Sequence, residues 1–306
     1  MPPAAAPAYR TDFDPQTGRP IVAGPGIVRV TAPNGGPFTF TGTNSFILGD
    51  ETVAVLDPGP DDESHLKALL GAIGGRQVEA ILLTHTHRDH CGLAAKLGRA
   101  TGAPLWFSGP HRLSRPARPF EVNGTGKSSD FSLRPARMLA DGEVFTAGGI
   151  ALEAIATPGH CDNHFAFGLA GTRICLTGDH VMGWNSSLVS VPDGSMAAYL
   201  HSLEKLIGMP YGLYLPAHGG PIPDGPTYAR ALLAHRQARN EQIVEAVEAG
   251  AHTITKLLVA IYPRLTPQLI GAARMTIKAH VEYLAETGRI GMRRGLFGPR
   301  LFALRG

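Results

Sequence analysis

The sequence is poor in cysteine and in charged residues, and it has no long apolar run. Three of its 306 residues are cysteines. None of them stands in a Cys-x-x-Cys pair, so we expect reduced thiols rather than a disulfide framework. No apolar run reaches the length of a membrane-spanning helix. The formal net charge of +3 does not by itself imply nucleic-acid binding.

The beginning of the chain lacks a basic segment followed by an apolar one, so we expect no secretory signal and a cytoplasmic location. Hydrophobic residues, in contrast, make up 43% of the chain, which is enough to bury a large core. A length of 306 residues favours two domains.

Composition and periodicity divide the chain into three segments. Residues 1–25 are rich in Pro, Ala and Gly and are expected to form a loose N-terminal arm. Residues 26–225 alternate short apolar strands with helices, including an amphipathic helix over 196–209 with Ser195 as its N-cap. Residues 226–306 form the third segment, which we expect to be a separate C-terminal domain.

The sequence of this C-terminal segment predicts three helices followed by a hairpin. Pro226 opens the first helix, Thr253 caps the second, and the third ends at Gly288. The residues expected on the inward face of the third helix are Ile270, Ala273, Ile277, Val281 and Leu284. Three helices and a hairpin are typical of a winged helix-turn-helix.

The strongest chemical signal is the run His85-Thr86-His87-Arg88-Asp89-His90, which follows an apolar strand. Three imidazoles and a carboxylate so close together are costly unless they are solvated or bound to a cation. Residues two apart in an extended segment point the same way, so His85 and His87 are placed to share one metal ion. Asp89 and His90, at the start of the next helix, are placed to reach a second. Imidazole and carboxylate ligands suit zinc, and also iron or manganese.

Three further candidate ligands follow other predicted strands. His160 lies in ATPGH, Asp179 in LTGDH and His218 in LPAHGG. Each comes after an apolar run and sits in a turn rich in Gly or Pro. Loops on a rigid sheet commonly carry function, so these three residues extend the predicted metal site.

In this order, HTHRDH, TPGH, TGD and PAHG resemble the motifs of the metallo-β-lactamase superfamily, and LDPG at residues 56–59 resembles its early aspartate motif. The resemblance implies an α/β fold, namely an αββα sandwich with metals at one edge, followed here by the small winged-helix-like domain. It implies two zinc ions, with iron or manganese as alternatives. It assigns His85, His87 and His160 to the first ion and Asp89, His90 and His218 to the second, with Asp179 bridging them and Asp57 holding a ligand loop in place.

The chemistry implied by such a site is hydrolysis. Two cations about 3.5–4 Å apart hold a hydroxide between them at neutral pH, and this hydroxide attacks a carbonyl carbon or a phosphorus. Asp89 and Asp179 are the candidate catalytic carboxylates, with Asp89 placed to orient the nucleophile. The leaving-group acid stays open between His180, Tyr199 and water.

The C-terminal segment from Tyr228 onward resembles the β-lactamase-like group that includes a mitochondrial endoribonuclease, in which a winged-helix-like tail follows the catalytic domain. The first hypothesis is therefore cleavage of phosphodiesters in single-stranded RNA. The candidate phosphate contacts are Arg112, Arg115, Arg118, Lys127, Arg134 and Arg137 in an irregular insertion over 108–137, and Arg289, Arg293, Arg294 and Arg300 near the hairpin. A solvated basic face is an equally good interpretation of these residues.

Two alternatives stay open. The chain is also compatible with a small-molecule thioester, ester or lactone hydrolase, similar to glyoxalase II, whose tail packs on the site. The second alternative is a non-enzymatic nucleic-acid-binding regulator. The open, carboxylate-rich ligand set argues against it, because structural zinc sites are usually closed and cysteine-rich.

Eight further histidines are not assigned as ligands. We expect His65, His111, His201, His235, His252 and His280 at the surface or at helix caps. His164 and His180 are of more interest, since both are close to ligands in sequence. Trp184 fits a core position and a wall against the substrate equally well.

Overall fold

The computed structural model describes residues 7–293 and 299–304. Two β-sheets pack face to face, with helices on both outer sides, and a helical region follows them. This arrangement confirms the predicted αββα sandwich. Arg294, one of the candidate phosphate contacts, lies outside the described residues.

The first sheet has seven strands in sequential order. They are β1 (Pro20–Gly24), β2 (Ile27–Thr31), β3 (Asn44–Leu48), β4 (Thr52–Leu56), β5 (Gln77–Leu82), β6 (Leu105–Phe107) and β7 (Arg137–Met138). The strands from β1 to β4 pair antiparallel, whereas those from β4 to β7 pair parallel. The parallel strands therefore end at a common edge.

The second sheet has five strands in the order β12-β11-β10-β9-β8. They are β8 (Val144–Ala147), β9 (Ile150–Ala156), β10 (Phe165–Leu169), β11 (Ile174–Gly178) and β12 (Leu213–Pro216). Only β11 and β12 pair parallel within it.

Alternate residues of each strand face opposite layers, as the period of an extended chain requires. Ala54 and Leu56 of β4 are buried between the two sheets together with Phe167 of β10. Val53 and Val55 of the same strand face the helices on the outer side. The sandwich thus has one core between its sheets and another beneath each helical layer.

Seven α-helices complete the described fold. They are α1 (Glu63–Ile73), α2 (Arg88–Cys91), α3 (Ala94–Thr101), α4 (Met196–Gly208), α5 (Gly225–Glu248), α6 (Ile254–Ile261) and α7 (Ile270–Glu286). A small hairpin of β13 (Gly291–Arg293) and β14 (Arg300–Phe302) follows α7. Leu69 and Leu97 of α1 and α3 cover the first sheet, and Leu203 of α4 covers the second.

Two predicted helix caps are confirmed. The Ser195 side chain accepts a hydrogen bond from the backbone N–H of Ala198 at 3.3 Å. Thr253 does the same for Lys256 at 3.2 Å. Each cap satisfies a backbone donor that the helix itself leaves unpaired.

Helix α5 joins the C-terminal region to the sandwich. Its first half buries Ala229 and Leu232 against the outer face of the second sheet. Its second half buries Ile243 and Val247 in a separate core with α6, α7 and the hairpin. One continuous helix thus contributes to the cores on both sides of the boundary predicted at residue 225.

The inward face predicted for α7 needs a correction at its beginning. Ile277, Val281 and Leu284 are buried in the C-terminal core as expected. Ile270 is 42% exposed, and Ala273 lines a cleft instead of the core. The first two turns of α7 extend past the C-terminal core, so their apolar side chains lie elsewhere.

The described part of the N-terminal segment is not the loose arm that was predicted over residues 1–25. Its last residues form β1, and the backbone N–H of Arg10 donates to the Gly183 carbonyl at 2.8 Å. The guanidinium of Arg29 lies 4.5 Å from the centre of the Phe13 ring. The aromatic side chains among the Pro, Ala and Gly residues hold this segment against the sandwich.

The three cysteines are buried and unpaired, as the sequence predicts. Within the described ranges, no helix is both long enough and apolar enough to cross a membrane.

The shared helix α5 leads to a testable expectation about cooperativity. Leu232→Ala and Ile243→Ala remove fully buried side chains from the two cores that α5 joins. Each should cost about 2–5 kcal/mol and lower the midpoint of one common transition in denaturant unfolding. The matched control is Val259→Ala, which changes a side chain that is 67% exposed. Two separate transitions, each sensitive to one substitution, would contradict a shared fold unit.

Candidate metal centre

The seven predicted metal ligands lie together at the edge of the sandwich. His85 and His87 follow β5, Asp89 and His90 lie in α2, His160 follows β9, Asp179 follows β11 and His218 follows β12. All are buried except Asp89, whose side chain is 29% exposed. The sequence therefore brings residues from four strand ends into one group.

The first part of the group consists of three imidazoles. Nδ1 of His87 lies 3.0 Å from Nε2 of His85 and 2.9 Å from Nε2 of His160. Ligand atoms of these three residues all lie within 4.8 Å of one another, which is the spacing of atoms that share one ion.

The second part contains Asp89, His90 and His218. A carboxylate oxygen of Asp89 lies 3.5 Å from Nε2 of His90 and 3.4 Å from Nε2 of His218. These three residues likewise have ligand atoms within 4.8 Å of one another.

Asp179 lies between the two parts. Its carboxylate oxygens are 3.6 Å from Nε2 of His160, 3.4 Å from Nε2 of His90 and 3.3 Å from Nε2 of His218. It is the residue of the group placed to contact ions in both positions.

The outward-facing nitrogen of each of the five imidazoles is already occupied. The contacts are His85 Nδ1 to Thr84 Oγ1 at 2.9 Å, His87 Nε2 to Asp193 at 3.3 Å, His90 Nδ1 to Asp57 at 2.9 Å, His160 Nδ1 to the Leu188 carbonyl at 2.7 Å and His218 Nδ1 to the Gly42 carbonyl at 3.2 Å. Carbonyls and carboxylates only accept hydrogen bonds, so the imidazole nitrogens that face them carry the protons. Thr84 donates its own hydroxyl proton to Asp57 at 2.7 Å, and it therefore accepts from His85.

The inward-facing nitrogens consequently present lone pairs to one another and to carboxylates. Nε2 of His90, Nε2 of His218 and Oδ1 of Asp179 have no hydrogen-bond partner among the described residues. Lone pairs that face one another in a buried site are unfavourable unless a proton or a cation lies between them. The donor set of imidazole nitrogens and carboxylate oxygens fits a divalent transition metal such as zinc.

The ionisation of these imidazoles is coupled to their surroundings. Burial, together with the neighbouring His87, lowers the pKa of His160 to about 4. Burial also opposes charge on His218, but the carboxylates of Asp179 and Asp89 outweigh it and raise the pKa of His218 to about 9. The acidic part of the group therefore favours positive charge, which a proton or a metal ion can supply.

Asp57 fixes the orientation of two ligand histidines from the side away from the other ligands. It follows β4 with a φ of 50°, in the left-handed region that aspartate tolerates better than most residues. Its carboxylate accepts from the Thr84 backbone N–H at 2.7 Å, from the Thr84 hydroxyl at 2.7 Å and from His90 Nδ1 at 2.9 Å. One carboxylate thus fixes the orientation of His90 directly and that of His85 through Thr84.

Asp193 plays the corresponding part for His87, although it is not among the predicted site residues. It is fully buried, and besides His87 it accepts from His111 Nε2 at 2.7 Å and Thr125 Oγ1 at 2.5 Å. Burial opposes its ionisation, but the hydrogen bonds from His111 and His87 hold the pKa of Asp193 below its usual range. Its Pro-Asp-Gly context is typical of an exposed turn, so no sequence signal indicated this role.

Three of the other histidines are also buried at the site. His111, expected at the surface, contacts Thr86 Oγ1 at 2.8 Å in addition to Asp193. His164 accepts from the backbone N–H of Asp179 at 3.1 Å and so positions that loop. Burial lowers the pKa of His180 to about 3, and within the described chain neither of its ring nitrogens has a hydrogen-bond partner.

A cleft of about 540 Å³ opens over the ligand group. Its floor includes His87, Asp89, His160 and Asp179. Trp184, stacked on Phe40 with ring centres 5.0 Å apart, lies in one wall. The C-terminal region contributes a second part of the lining, which consists mainly of apolar side chains, namely Tyr262, Leu265, Leu269, Ala272, Ala273 and Met275.

Most of the arginines proposed to contact RNA have carboxylate partners within the chain. The pairs are Arg112 with Asp162, Arg115 with Glu121 and Glu282, Arg118 with Glu282, Arg137 with Glu143, and Arg289 with Glu241. Arg134 donates to backbone carbonyls, and the Arg293 guanidinium lies over the Phe302 ring. Five of the nine candidate arginines are therefore paired with a carboxylate before any ligand binds.

Comparison with known proteins supports the fold. The model of the Metallo-beta-lactamase superfamily matches residues 38–218, a range that contains all seven candidate ligands. A Beta-lactamase domain protein from Burkholderia ambifaria has a similar structure, with a TM-score of 0.81 and 25% identity over 97% of each chain.

Two fungal relatives extend over most of the chain. The lactamase-like protein aptB of Emericella nidulans is 26% identical over 91% of this chain and 87% of its own length. An atrochrysone carboxyl ACP thioesterase of Aspergillus fumigatus is 27% identical over 80% of this chain and 76% of its own.

The role of Asp193 can be tested through metal affinity. Asp193→Ala frees the His87 ring and should weaken divalent-metal binding by about 10–100-fold, measured by competition with a chromogenic chelator. Asp193→Asn keeps the side-chain volume, and its metal affinity should lie between those of the parent and Asp193→Ala. Asp162→Ala, which removes a partly exposed partner of Arg112, serves as the control. Unchanged affinity in a folded Asp193→Ala protein would show that this carboxylate does not orient a ligand.

Proposed function

The chain belongs to the metallo-beta-lactamase superfamily and is a hydrolase, and we propose that its substrates are small-molecule thioesters. Two divalent ions, zinc by the chemistry of the donors, would be held in the two parts of the ligand group. One would be bound by His85, His87 and His160, the other by Asp89, His90 and His218, with Asp179 between them.

The observation that carries the substrate class is the shape and chemistry of the cleft. Apolar side chains of the C-terminal region, such as Leu269 and Met275, line the same cleft of about 540 Å³ as the ligand group. A volume of this size suits a small molecule, and its walls would bury an apolar acyl group next to the reacting carbonyl. A nucleic-acid strand would instead require an open, basic track.

The relatives favour the same class. One of them carries the name of a thioesterase acting on an acyl group attached to an acyl carrier protein. A second relative with such a name, from Paecilomyces divaricatus, is 29% identical over 73% of this chain and 65% of its own length. These names describe those proteins, and they support a thioester substrate here.

The chemistry of the leaving group is consistent with this choice. Bound divalent ions would supply a water that is acidic enough to ionise near neutral pH and a Lewis acid for the carbonyl oxygen. Asp89, part-exposed at the cleft floor, would orient the attacking water, and Asp179 would hold the two parts of the ligand group together. A thiol ordinarily titrates at about 8.5, so a thiolate leaves without a strong general acid.

The cleft wall also lacks an evident proton donor for a poorer leaving group. Apart from Asp89 and Asp179, none of the described residues that line it is acidic. Its one imidazole outside the ligand group, His235, has a pKa lowered to about 4 by burial and by the charges of Arg236 and Arg239. A neutral imidazole is a poor acid, which disfavours alkoxide leaving groups such as those of RNA.

The C-terminal region would therefore act as a wall of the active site rather than as a nucleic-acid-binding domain. The predicted resemblance to the endoribonuclease group rests on the sequence stretches HRQARNEQI, TITKLLVAIYP and IKAHVEYLAETGRI of the tail, and the predicted winged helix rests on the order of helices and hairpin. The paired arginines and the apolar inner surface of α7 favour the thioester hypothesis over RNA.

A direct substrate comparison tests the proposal. Metal-loaded protein should hydrolyse an aromatic acyl thioester of N-acetylcysteamine at least about tenfold faster than the matching oxygen ester, because the thiolate is the better leaving group. It should leave a fluorescently labelled single-stranded RNA intact. Measured turnover of RNA exceeding that of every thioester tried would overturn the assignment.

The role of Asp179 is tested by its removal. Asp179→Ala should lower thioester turnover by at least about 10³-fold, because it removes the carboxylate between the two metal positions. Asp162→Ala is again a matched control and should retain parental turnover. Elemental analysis should find less metal per chain in Asp179→Ala than in the parent. Near-parental turnover of Asp179→Ala would exclude it from the catalytic group.

A further inference from the structure

Arg236 is a buried cation without a buried counter-charge. It lies on α5, is 3% exposed and lines the cleft over the ligand group. No carboxylate in the described parts of the chain lies within 4.0 Å of its guanidinium nitrogens. One guanidinium nitrogen donates to the Ser187 carbonyl, and Nε has no hydrogen-bond partner.

Such a charge is costly to bury unless something compensates it. The face of the Tyr199 ring, 5.2 Å from the guanidinium carbon, contributes a cation–π contact but no negative charge. The nearest basic neighbour on the same helix, Arg239, stacks on Tyr262 at 4.5 Å and adds to the positive potential. The other buried cation, Arg29, differs because it lies away from the cleft and near Asp14.

The surroundings of Arg236 leave the charge unbalanced. The acidic residues that line the cleft, Asp89 and Asp179, belong to the ligand group. Asp130, a further carboxylate, is paired with Arg88 at 3.5 Å. His235 and His280, which also adjoin Arg236, contribute no negative charge. The cleft therefore contains a buried positive charge that no described carboxylate balances.

We propose that Arg236 forms an anion subsite that selects thioesters whose acyl group carries a carboxylate. The inference rests on the proposed thioesterase function and adds the class of acyl group. The apolar side of α7 receives the body of the acyl group, and the guanidinium receives its carboxylate.

The position of Arg236 places the anion on the acyl side of the substrate. Its partner Ser187 is followed by Leu188, whose carbonyl holds His160. The Ser187 hydroxyl itself lies 3.3 Å from Nδ1 of His160, so the guanidinium is near the ligand group and we expect its anion near the thioester carbonyl. The phosphate of a carrier protein's pantetheine arm is separated from the sulfur by the length of that arm, so it would lie farther out.

Kinetics on a matched pair of substrates test the subsite. The benzoyl and 4-carboxybenzoyl thioesters of N-acetylcysteamine differ only in a carboxylate. The parent should prefer the charged thioester by about tenfold or more in kcat/KM, the range of a hydrogen bond to a charged group. Arg236→Met should abolish this preference by slowing only the charged substrate, and Arg236→Lys should keep part of it. Arg230→Met changes an exposed arginine of the same helix and should leave the preference unchanged.

Two kinetic results would refute the subsite, and they differ from each other. If Arg236→Met slows both thioesters equally and lowers metal content, the residue only positions the Ser187–Leu188 segment, and the subsite is refuted. If the parent shows no preference between the two thioesters, the subsite is refuted while the thioesterase function stands.

A binding measurement separates the subsite from the catalytic proposal. The uncleavable thioethers S-benzyl- and S-(4-carboxybenzyl)-N-acetylcysteamine are titrated into parent and Arg236→Met protein by calorimetry. The subsite is supported if the charged thioether binds more tightly than the uncharged one to the parent but not to Arg236→Met. If this result is found and no thioester is hydrolysed, only the proposed function fails. If instead phosphopantetheine binding is the quantity that Arg236→Met weakens, the anion belongs to the carrier arm and the acyl assignment is wrong.

Discussion

The structure depends on five imidazoles that each hold one nitrogen outward and turn the other inward. Four of the outward nitrogens donate to carboxylates or carbonyls, which can only accept, such as the Asp193 carboxylate behind His87 and the Leu188 carbonyl behind His160. The fifth, on His85, donates to the Thr84 hydroxyl, whose own proton is already donated to Asp57. This arrangement fixes the tautomer of every ring and leaves the lone pairs facing one another. A buried set of lone pairs is stable only around positive charge, and this constraint is the physical reason for proposing a metal site at the edge of the sandwich.

The rest of the fold holds these five imidazoles in position and forms the cleft next to them. The ends of β5, β9, β11 and β12 supply the ligands, and the packed sheets keep those ends in register. Helix α5 ties the C-terminal region to the sandwich, so that α7 faces the ligand group at a defined distance. The insertion over residues 108–137 is attached to α7 through the ion pairs of Arg115 and Arg118 with Glu282. Two of the basic side chains that suggested a nucleic-acid surface thus hold the insertion against α7.

Much of the fold and of the ligand group could be predicted from the sequence. Metal ligands gather in short motifs after strands, and helix caps are local, so both leave a signature in neighbouring residues. The supporting residues do not, since they meet only through long-range packing. Asp193 and His111 are separated from their partners by 25 to 106 residues. A Pro-Asp-Gly turn or a lone histidine has no local mark of burial.

The faces of the C-terminal helices were harder to predict for a related reason. A helical period identifies apolar positions such as Ala273, but not whether they face a core or a cleft. In the same way, an arginine in a sequence carries no record of its partner. Arg115 is balanced by two carboxylates, whereas Arg236 is balanced by none within the described chain. Only the three-dimensional arrangement separates a structural cation from one available to a ligand.

The most direct test of this account is the tautomer of each ligand histidine in the metal-loaded protein, read from nitrogen-15 NMR of labelled imidazoles. His85, His90, His160 and His218 should carry their proton on Nδ1, and His87 should carry it on Nε2. The inward nitrogens should show the shifts of metal-bound, unprotonated nitrogen. Protons on the inward nitrogens, or rings that titrate freely after incubation with zinc, would contradict the claim that the outward hydrogen bonds prepare these side chains to bind metal.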